Sequence, residues 1–326
     1  MVPSELTLGT WGLSGDGYGA VEPGERDRTI DRALELGVTA FETADVYGHG
    51  TMEQVIGERV GSTPGTCIIT KIGTVRPPPG SGHEIARGVD PPRSDASDAI
   101  AQVVRRFEPA YLREAVRRCQ ERLRRAKIDV VLLHQPGVST LTRGEAAGAM
   151  SDLEREGAIG AWGVSAGDDE VARAALAQGA RVVEVAYNVF FSRQLLDLAA
   201  AITGKKAGVL ARSVLAYGLL AGRISASQVF PAGDHRSERW THPELRARVA
   251  QLDAIRPLVG GEIPTMRAAA LRFVLSNEIV STAVLGPRSA AQLEQLVQEA
   301  GGGPPYLSEA AMTRLSADLA RLGVIT

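Results

Sequence analysis

Residues 111–134, YLREAVRRCQERLRRAKIDVVLLH, contain a helix and a strand in direct succession. Across 111–126, apolar residues recur every three or four positions, and this spacing predicts an amphipathic helix. The segment 128–134 is apolar at most positions, as expected of a strand that is covered on both faces. A helix followed by a buried strand is the repeating unit of α/β folds. The apolar face of the predicted helix consists of Leu112, Ala115, Val116, Cys119 and Leu123.

The same alternation of apolar runs and helical patterns extends along the chain in both directions. Segments 27–36 and 290–297 also show helical spacing. The alternation predicts either a closed barrel or a large doubly wound sheet, and counting strands does not decide between them. No Gly-x-Gly-x-x-Gly motif follows the first run, which weakens the case for a dinucleotide-binding Rossmann fold. The eight apolar runs cover residues 6–10, 38–42, 67–71, 128–134, 159–165, 181–186, 208–212 and 279–285.

Two long connections interrupt this alternation. Residues 73–108 are rich in proline and glycine, and residues 214–263 hold Asp234, His235 and Arg236 near their middle. Connections of this length in a compact domain are usually lids or binding loops. In a barrel, both would follow the C-terminal ends of strands, where active sites lie. The proline-rich stretch is also compatible with an insertion that has no role in a site.

The composition limits the partners of this protein. Of its 326 residues, 44% are hydrophobic, and 36 Lys and Arg against 38 Asp and Glu leave a net charge of −2. This balance gives no electrostatic reason to expect nucleic acid or an anionic membrane as a partner. The sequence has no apolar run of about eighteen residues and no charged-then-apolar leader at Met1, so we expect a cytoplasmic protein. We expect Cys67 and Cys119 to be reduced packing thiols.

Polar residues stand at the ends of the predicted strands. Glu42 ends the second run, and Tyr47 follows five residues later. Lys71 ends the third run and His134 ends the fourth. A lysine or histidine at the end of a buried strand is poorly explained by packing, because burial of an unpaired charge is costly. Each residue alone is compatible with a structural role, but together at one barrel mouth they would form a site.

Eight short segments carry further information through their order and spacing. They are LGTWG (8–12), DVYG (45–48), TK (70–71), LLHQP (132–136), GVS (163–165), YN (187–188), LLAG (219–222) and GPR (286–288). Together they resemble the aldo-keto reductase family over nearly the whole chain. The resemblance implies an α/β fold, a single (β/α)8 TIM barrel over residues 1–326 with long loops at its C-terminal face. It also implies NADPH-dependent, reversible reduction of an aldehyde or ketone, by a family that binds its cofactor without a Rossmann domain.

The resemblance implies roles for the polar strand-end residues. Tyr47 would be the general acid with Lys71 beside it, and His134 would orient the substrate carbonyl. A phenol with a pKa of about 10 is a poor acid at neutral pH, and a nearby ammonium favours its ionised form. The same cation and the imidazole would stabilise the oxyanion that develops during reduction. The family's carboxylate partner for the lysine is normally Asp, and Glu42 takes its place here with one more methylene.

The implied nicotinamide site is altered in this sequence. Ala166 follows Ser165 where the family usually has Asn, and Glu184 replaces the usual Gln. An ionised carboxylate accepts a hydrogen bond from the carboxamide NH2 but cannot donate one to its oxygen. Arg212 takes the place of an aromatic residue that often stacks on the nicotinamide, and a planar guanidinium can also stack.

The implied phosphate site follows the eighth apolar run, where residues 286–289 open a helix. Backbone N–H groups at a helix start bind phosphate, and Ser289 is a suitable cap. Arg288 matches the family position that binds the 2′-phosphate of NADP, which favours NADP(H) over NAD(H), and Gln292 matches an adenine contact. The complete implied set of cofactor contacts is Ser165, Glu184, Arg212, Ser213, Leu215, Gly286, Arg288 and Gln292.

The implied substrate site consists of Trp11, Tyr47 and His134. Trp11 resembles a substrate-pocket aromatic residue of the family, although a core position at the bottom of the barrel is an alternative. His49 and His83 have no partner at metal-ligand spacing, so we expect no metal site.

Two other classes of function stay open at this point. The altered carboxylate and amide pocket are compatible with a non-redox dehydratase, epimerase or lyase that uses Tyr47, Lys71 and Glu42 for proton transfer. A cofactor-sensing regulatory subunit is the second alternative. For the reductase we expect a small-molecule carbonyl substrate, whose identity the loops do not reveal, and a monomer or small homo-oligomer.

Overall fold

Eight parallel strands close into a barrel in the computed structural model, which describes residues 4–75, 104–231 and 234–322. Each barrel strand pairs with the next barrel strand along the chain, and the last pairs with the first. The closed order confirms the predicted (β/α)8 barrel and rules out the doubly wound sheet. In chain order, the strands are β1 (Leu6–Gly9), β2 (Ala40–Glu42), β3 (Cys67–Ile72), β4 (Thr74–Val75), β5 (Val104–Arg105), β6 (Ile128–His134), β7 (Ile159–Ser165), β8 (Val182–Ala186), β9 (Gly208–Arg212) and β10 (Thr282–Leu285).

Helices occupy the connections between the barrel strands and cover the sheet. The helices are α1 (Trp11–Ser14), α2 (Pro23–Glu35), α3 (Thr51–Arg59), α4 (Pro109–Leu123), α5 (Val138–Thr142), α6 (Glu145–Arg155), α7 (Asp169–Ala177), α8 (Arg193–Lys205), α9 (Arg236–Arg239), α10 (His242–Gln251), α11 (Met266–Leu275), α12 (Ala290–Ala300) and α13 (Glu309–Arg321). All five residues of the predicted apolar face of α4 are buried, which confirms that face. Within the described ranges, no helix is long and apolar enough to cross a membrane.

The interior of the barrel is filled by a small apolar cluster. Side chains alternate along a strand, so residues two positions apart point the same way. Ala40 lies two positions before Glu42, and Ile69 lies two positions before Lys71. The charged side chains therefore form a layer directly above an apolar floor. The cluster consists of Ala40, Cys67, Ile69, Leu132, Val182, Leu210 and Val284.

Both cysteines are buried and unbridged, as predicted. Cys67 belongs to the cluster inside the barrel, and burial raises the pKa of its thiol to about 12. Cys119 lies on the buried face of α4, where burial also raises the pKa of the thiol. Thiols held in the protonated form are poor nucleophiles, so both residues act in packing.

The strand register brings the polar strand ends together. Gly9 lies opposite Glu42 in the pairing of β1 with β2. His134 lies opposite Ser165 in the pairing of β6 with β7, and Ser165 lies opposite Glu184 in the pairing of β7 with β8. Residues that are far apart in the sequence thus reach the same level at the C-terminal end of the barrel.

The two long connections differ in what they contain. Strands β4 and β5 pair antiparallel to each other at the two ends of the first connection. Residues 76–103, which include His83, lie outside the described part of the chain. The second connection contains α9 and α10, which the sequence interpretation did not anticipate. Helix α10 begins with a capping box, in which Thr241 and Glu244 satisfy each other's backbone N–H groups.

Candidate active site

A cavity of about 490 Å³ opens at the C-terminal end of the barrel. All eight barrel strands contribute a lining residue, namely Gly9, Glu42, Lys71, His134, Ser165, Glu184, Arg212 and Val284. The segments that follow these strands contribute the remaining predicted residues, namely Trp11, Tyr47, Ser213, Leu215, Gly286, Arg288 and Gln292. The structure therefore brings the whole predicted set to one cavity, while the role of each residue remains a prediction.

Lys71 lies at the centre of the charged layer. Its ammonium forms a buried ion pair with the carboxylate of Glu42. A second carboxylate oxygen, Oε1 of Glu184, lies 3.7 Å from Nζ, which also donates to the carbonyl oxygen of Thr43 over 3.3 Å. Burial lowers the pKa of Lys71 to about 8, and the charge of Glu184 opposes this shift. The ammonium of Lys71 therefore loses its proton at about pH 8, closer to neutral pH than that of an exposed lysine.

Gly9 explains how the longer carboxylate of Glu42 fits beside Lys71. A Cβ atom at Gly9 would lie 3.0 Å from Oε2 of Glu42 and 2.7 Å from Cγ1 of Val284. The end of β1 therefore leaves open the space that this carboxylate occupies. With Glu in the usual Asp position, the ion pair to the lysine is retained.

Tyr47 follows β2 through a short turn and lines the cavity beside Lys71. The distance from Nζ of Lys71 to the centroid of the Tyr47 ring is 5.0 Å. The ring centroids of Tyr47 and His134 are 6.3 Å apart and their planes are nearly perpendicular. Burial raises the pKa of the Tyr47 phenol, and the negative charge of Glu184 adds to the effect. The sequence predicts that the nearby ammonium favours the phenolate, but burial outweighs this effect and the phenol of Tyr47 keeps its proton.

His134 ends β6 and is buried at the cavity wall. Burial lowers the pKa of its imidazole well below the usual range, and the positive charge of Lys71 lowers it further. The imidazole is therefore neutral, with one nitrogen as donor and the other as acceptor. Among the described residues, Nδ1 of His134 has no hydrogen-bond partner. A neutral imidazole with an unpartnered Nδ1 is suited to contact a polar ligand in the cavity.

The predicted nicotinamide corner contains Ser165, Glu184 and Arg212. Arg212 donates to the carbonyl oxygen of Ala166 over 3.2 Å and to Oγ of Ser213 over 3.4 Å. The loss of the family's Asn at position 166 is thus accompanied by a backbone contact that holds the guanidinium in place. Oε2 of Glu184 is buried and has no hydrogen-bond partner within the described ranges.

The predicted phosphate corner lies at the start of α12. Oγ of Ser289 accepts a hydrogen bond from the backbone N–H of Gln292 over 3.2 Å, which confirms Ser289 as the cap. The backbone N–H of Ala290 donates to Oε1 of Glu25 over 2.9 Å. Glu25 could not be predicted from the sequence, because it lies at the start of α2 and is 265 positions away from its partner.

Arg288, predicted to bind a 2′-phosphate, makes backbone contacts in this structure. Its guanidinium donates to the carbonyl oxygens of Tyr18, Gly19 and Ala20, over 2.7, 2.9 and 3.0 Å. The arginine therefore fastens the connection after β1 to the connection after β10, beside the cavity.

Aromatic rings form the outer wall of the cavity. The Trp11 ring centroid lies 5.1 Å from that of Tyr18 and 4.8 Å from that of His235. Tyr217 contacts the same histidine at 5.5 Å. Trp11 lines the mouth of the cavity, so the alternative of a core position at the bottom of the barrel is wrong. Nothing in the sequence signalled the part played by Tyr18 and His235, since their contacts join two separate connections.

The described residues contain no group of His, Cys, Asp and Glu arranged to hold a metal ion. The cavity instead combines a protonated phenol, a buried lysine, a neutral imidazole and a helix start at one barrel mouth. Such a convergence of strand-end side chains is typical of TIM-barrel enzymes.

Comparison with known proteins identifies the family. The model of the Aldo/keto reductase family matches residues 5–300. The chain is 25% identical over 307 residues to Aldo-keto reductase YhdN of Bacillus subtilis (strain 168), covering 91% of this chain and 85% of that protein. It is 28% identical over 300 residues to D-threo-aldose 1-dehydrogenase of Pseudomonas sp, covering 86% and 87%. The solved structure of glycerol dehydrogenase AKR11B4 from Gluconobacter oxydans matches with a TM-score of 0.80 and 26% identity, covering 99% of this chain and 94% of that one.

The chain therefore belongs to the aldo/keto reductase family. Members of this family are oxidoreductases that act on carbonyl or alcohol substrates with a nicotinamide cofactor. The membership confirms the predicted enzyme class. It favours the oxidoreductase over the non-redox enzyme and the regulatory subunit.

Proposed function

We propose that this enzyme catalyses the reversible, NADPH-dependent reduction of a small aldehyde or ketone to the alcohol. The proposal rests mainly on one observation, the buried group of Tyr47, Lys71, Glu42 and His134 at the inner end of the cavity. The predicted cofactor contacts, of which Ser165 is the first in the sequence and Gln292 the last, line the same cavity. The organisation as one domain over residues 1–326 is part of this proposal.

Each member of the buried group has a chemical task. Tyr47 holds its proton in the buried site, and it can donate that proton to the carbonyl oxygen once this oxygen gains negative charge and becomes the stronger base. The ammonium of Lys71 stabilises the phenolate that remains. The neutral imidazole of His134 donates a hydrogen bond that directs the carbonyl oxygen toward the phenol. Glu42 pairs with Lys71 and holds it in position.

The residues present fit a nicotinamide dinucleotide. When bound, the cofactor supplies or accepts the hydride at the substrate carbon. The unpartnered Oε2 of Glu184 can accept a hydrogen bond from a carboxamide NH2, with Ser165 as the neighbouring contact. The start of α12 and Arg288 suit the phosphates, and a phosphate would replace neutral carbonyl oxygens with a stronger acceptor for the guanidinium. These features favour NADPH as the proposed cofactor, with NADH as the alternative.

The names of two relatives suggest which substrates to try first. One relative is named a D-threo-aldose 1-dehydrogenase and one matched structure is a glycerol dehydrogenase. The cavity wall of this chain offers both aromatic rings and charged groups. We therefore propose small polyhydroxylated aldehydes and the corresponding alcohols as the first substrates to test.

Replacement of Tyr47 by Phe tests the proposed function. We expect kcat for the best aldehyde among these substrates to fall by at least about 10²-fold, because the general acid is lost. Binding of NADPH, followed by quenching of tryptophan fluorescence, should remain. Tyr187→Phe is the matched control, because Tyr187 is buried outside the cavity and bonds only to Asn277 among the contacts described for its hydroxyl. A wild-type rate in Tyr47→Phe would sink the proposal.

A further inference from the structure

Glu184 is a buried carboxylate that the proposed chemistry does not fully use. The residue is 2% exposed and lines the cavity at the end of β8. One oxygen lies 3.7 Å from Nζ of Lys71, whose closer partner is Glu42. The other oxygen has no hydrogen-bond partner among the described residues. Burial of a partly unpaired carboxylate is costly, so a ligand that compensates its charge is expected.

The surrounding charges show what Glu184 contributes. The barrel strands supply four charged side chains to the cavity, namely Glu42, Lys71, Glu184 and Arg212. Two negative and two positive charges sum to zero. The two other titratable groups at this end are neutral, since burial raises the pKa of Tyr47 and lowers that of His134. Without Glu184, the inner end of the cavity would carry a net positive charge.

We infer that Glu184 makes the cavity favour the oxidised nicotinamide and thereby sets the enzyme toward alcohol oxidation. This inference rests on the proposed function, because it takes the nicotinamide to bind beside Glu184. The oxidised ring carries a positive charge, which disappears when the ring accepts a hydride. A carboxylate beside the ring therefore stabilises the oxidised form and leaves the reduced form almost unaffected.

The reaction that benefits is balanced as follows. The carbinol C–H bond breaks and its hydrogen leaves with the electron pair to the oxidised nicotinamide. As the C=O bond forms, the phenol of Tyr47 releases its own proton to solvent and takes the hydroxyl proton of the alcohol in its place. Glu184 does not change the equilibrium in solution. It changes the relative affinity of the enzyme for the two forms of the cofactor, and hence the balance between bound reactants and bound products.

The charge of Glu184 and its hydrogen bond make separate contributions to cofactor affinity, and substitutions at position 184 can distinguish them. Both forms of the cofactor carry the carboxamide, so a hydrogen bond to Glu184 affects both affinities equally. The charge affects only the oxidised form. Glu184→Gln keeps a hydrogen-bond acceptor of the same size and removes the charge, whereas Glu184→Asp keeps the charge.

The test is calorimetric titration of the wild type, Glu184→Gln and Glu184→Asp with NADP⁺ and with NADPH. We expect the ratio of the Kd for NADP⁺ to the Kd for NADPH to rise about tenfold in Glu184→Gln, which corresponds to about 1.4 kcal/mol. In Glu184→Asp we expect the ratio to stay within about threefold of the wild type. Thermal unfolding establishes that each variant is folded. If Glu184→Gln does not fold, Glu184→Ala also removes the charge, and the ratio still reports on that charge because loss of the hydrogen-bond acceptor weakens both forms equally.

Three results would go against the inference. Two unchanged Kd values in Glu184→Gln would overturn it, whether or not Glu184 carries a proton in the complex. Equal weakening of both forms would reduce Glu184 to a positioning contact and would also overturn it. No binding of either form by the folded wild type would overturn the proposed function as well. In the first two cases the proposed function stands, so the two failures are distinguishable.

Discussion

The charge on Lys71 should control the pH range of carbonyl reduction. Burial lowers the pKa of Lys71 from its ordinary 10.5 to about 8. Above that pH the amine is neutral and no longer stabilises the phenolate that Tyr47 becomes when it gives up its proton. We therefore expect kcat for reduction to fall as the pH rises through about 8. The measurement is kcat at saturating cofactor and substrate from about pH 6 to about pH 10.

Glu184→Gln provides the internal control for this profile. The carboxylate of Glu184 opposes the effect of burial on the pKa of Lys71, so its loss should move the midpoint to lower pH. The lowered pKa of Lys71 also affects the stability of the folded protein. Between about pH 8 and pH 10.5 the unfolded chain binds the lysine's proton and the folded chain does not, so the contribution of Lys71 to the free energy of unfolding rises with pH. A wild-type profile that stays flat to about pH 10 would contradict the assignment.

Glu25 should discriminate between the two cofactors. Its carboxylate accepts from the backbone N–H of Ala290, and hydrogen bonds from Arg28 and from that N–H lower the pKa of Glu25. The ionised carboxylate of Glu25 lies at the helix start, near Arg288. A 2′-phosphate bound by Arg288 would therefore be repelled by the negative charge of Glu25. We expect Glu25→Gln to tighten NADPH binding about fivefold and to leave NADH binding within about twofold.

The measurement is the Kd of each cofactor from fluorescence titration. Glu294→Gln is the matched control, because Glu294 lies further along α12 and pairs with Arg32 rather than with the backbone at the helix start. It should change neither Kd. Equal tightening of both cofactors in Glu25→Gln would mean that Glu25 does not act on the 2′-phosphate.

At the scale of secondary-structure elements, the sequence predicts best the strands that are buried on both faces. The runs 128–134 and 159–165 match β6 and β7 at both ends, because burial on both faces demands uninterrupted apolar sequence. The run 279–285 is too long, since its first residues are partly buried in the turn before β10. Strands β4 and β5, of two residues each, are too short to carry any periodicity.

In the candidate site, the residues at the ends of buried strands could be predicted from the sequence, and those in the connections could not. Lys71 and His134 were predictable because a charged or polar residue at the end of a buried strand conflicts with packing. Glu25, Tyr18 and His235 were not, because they lie in connections and their partners are distant in the sequence. A local pattern records burial and periodicity, but it does not record which connections meet in space.

Helix α4 provides a test of packing at this scale. Leu123 is fully buried on the face that α4 presents to the barrel. We expect Leu123→Ala to lower the free energy of unfolding by about 3 kcal/mol, because it leaves a cavity in the core. Leu196→Ala on α8 is the control, since that leucine is 49% exposed and should cost less than about 1 kcal/mol. Urea denaturation measures both, and similar losses would contradict the assigned core.

At the scale of the whole molecule, three connections that follow different strands meet beside the cavity. The connection after β1 carries Gly17 and Tyr18, and the backbone N–H of His235, in the connection after β9, donates to the carbonyl oxygen of Gly17 over 2.9 Å. Arg288, after β10, donates to the carbonyl oxygen of Tyr18. The ring of Tyr18 packs 4.7 Å from that of His235. Tyr18 is therefore the residue through which all three connections are held together, and we name this arrangement the Tyr18 junction.

The Tyr18 junction should limit how fast the cofactor leaves, because connections that close over a cavity must separate before a long ligand can be released. Tyr18→Ala removes the ring but leaves the strand-end residues unchanged. We expect the dissociation rate of NADPH, measured by stopped-flow fluorescence, to rise about tenfold. Where release limits turnover, kcat should rise as well. Tyr111→Ala is the matched control, because its ring packs on Arg106 and Arg118 away from the cavity and should leave the rate unchanged. An unaltered dissociation rate in Tyr18→Ala would show that the junction supports the fold without gating the cofactor.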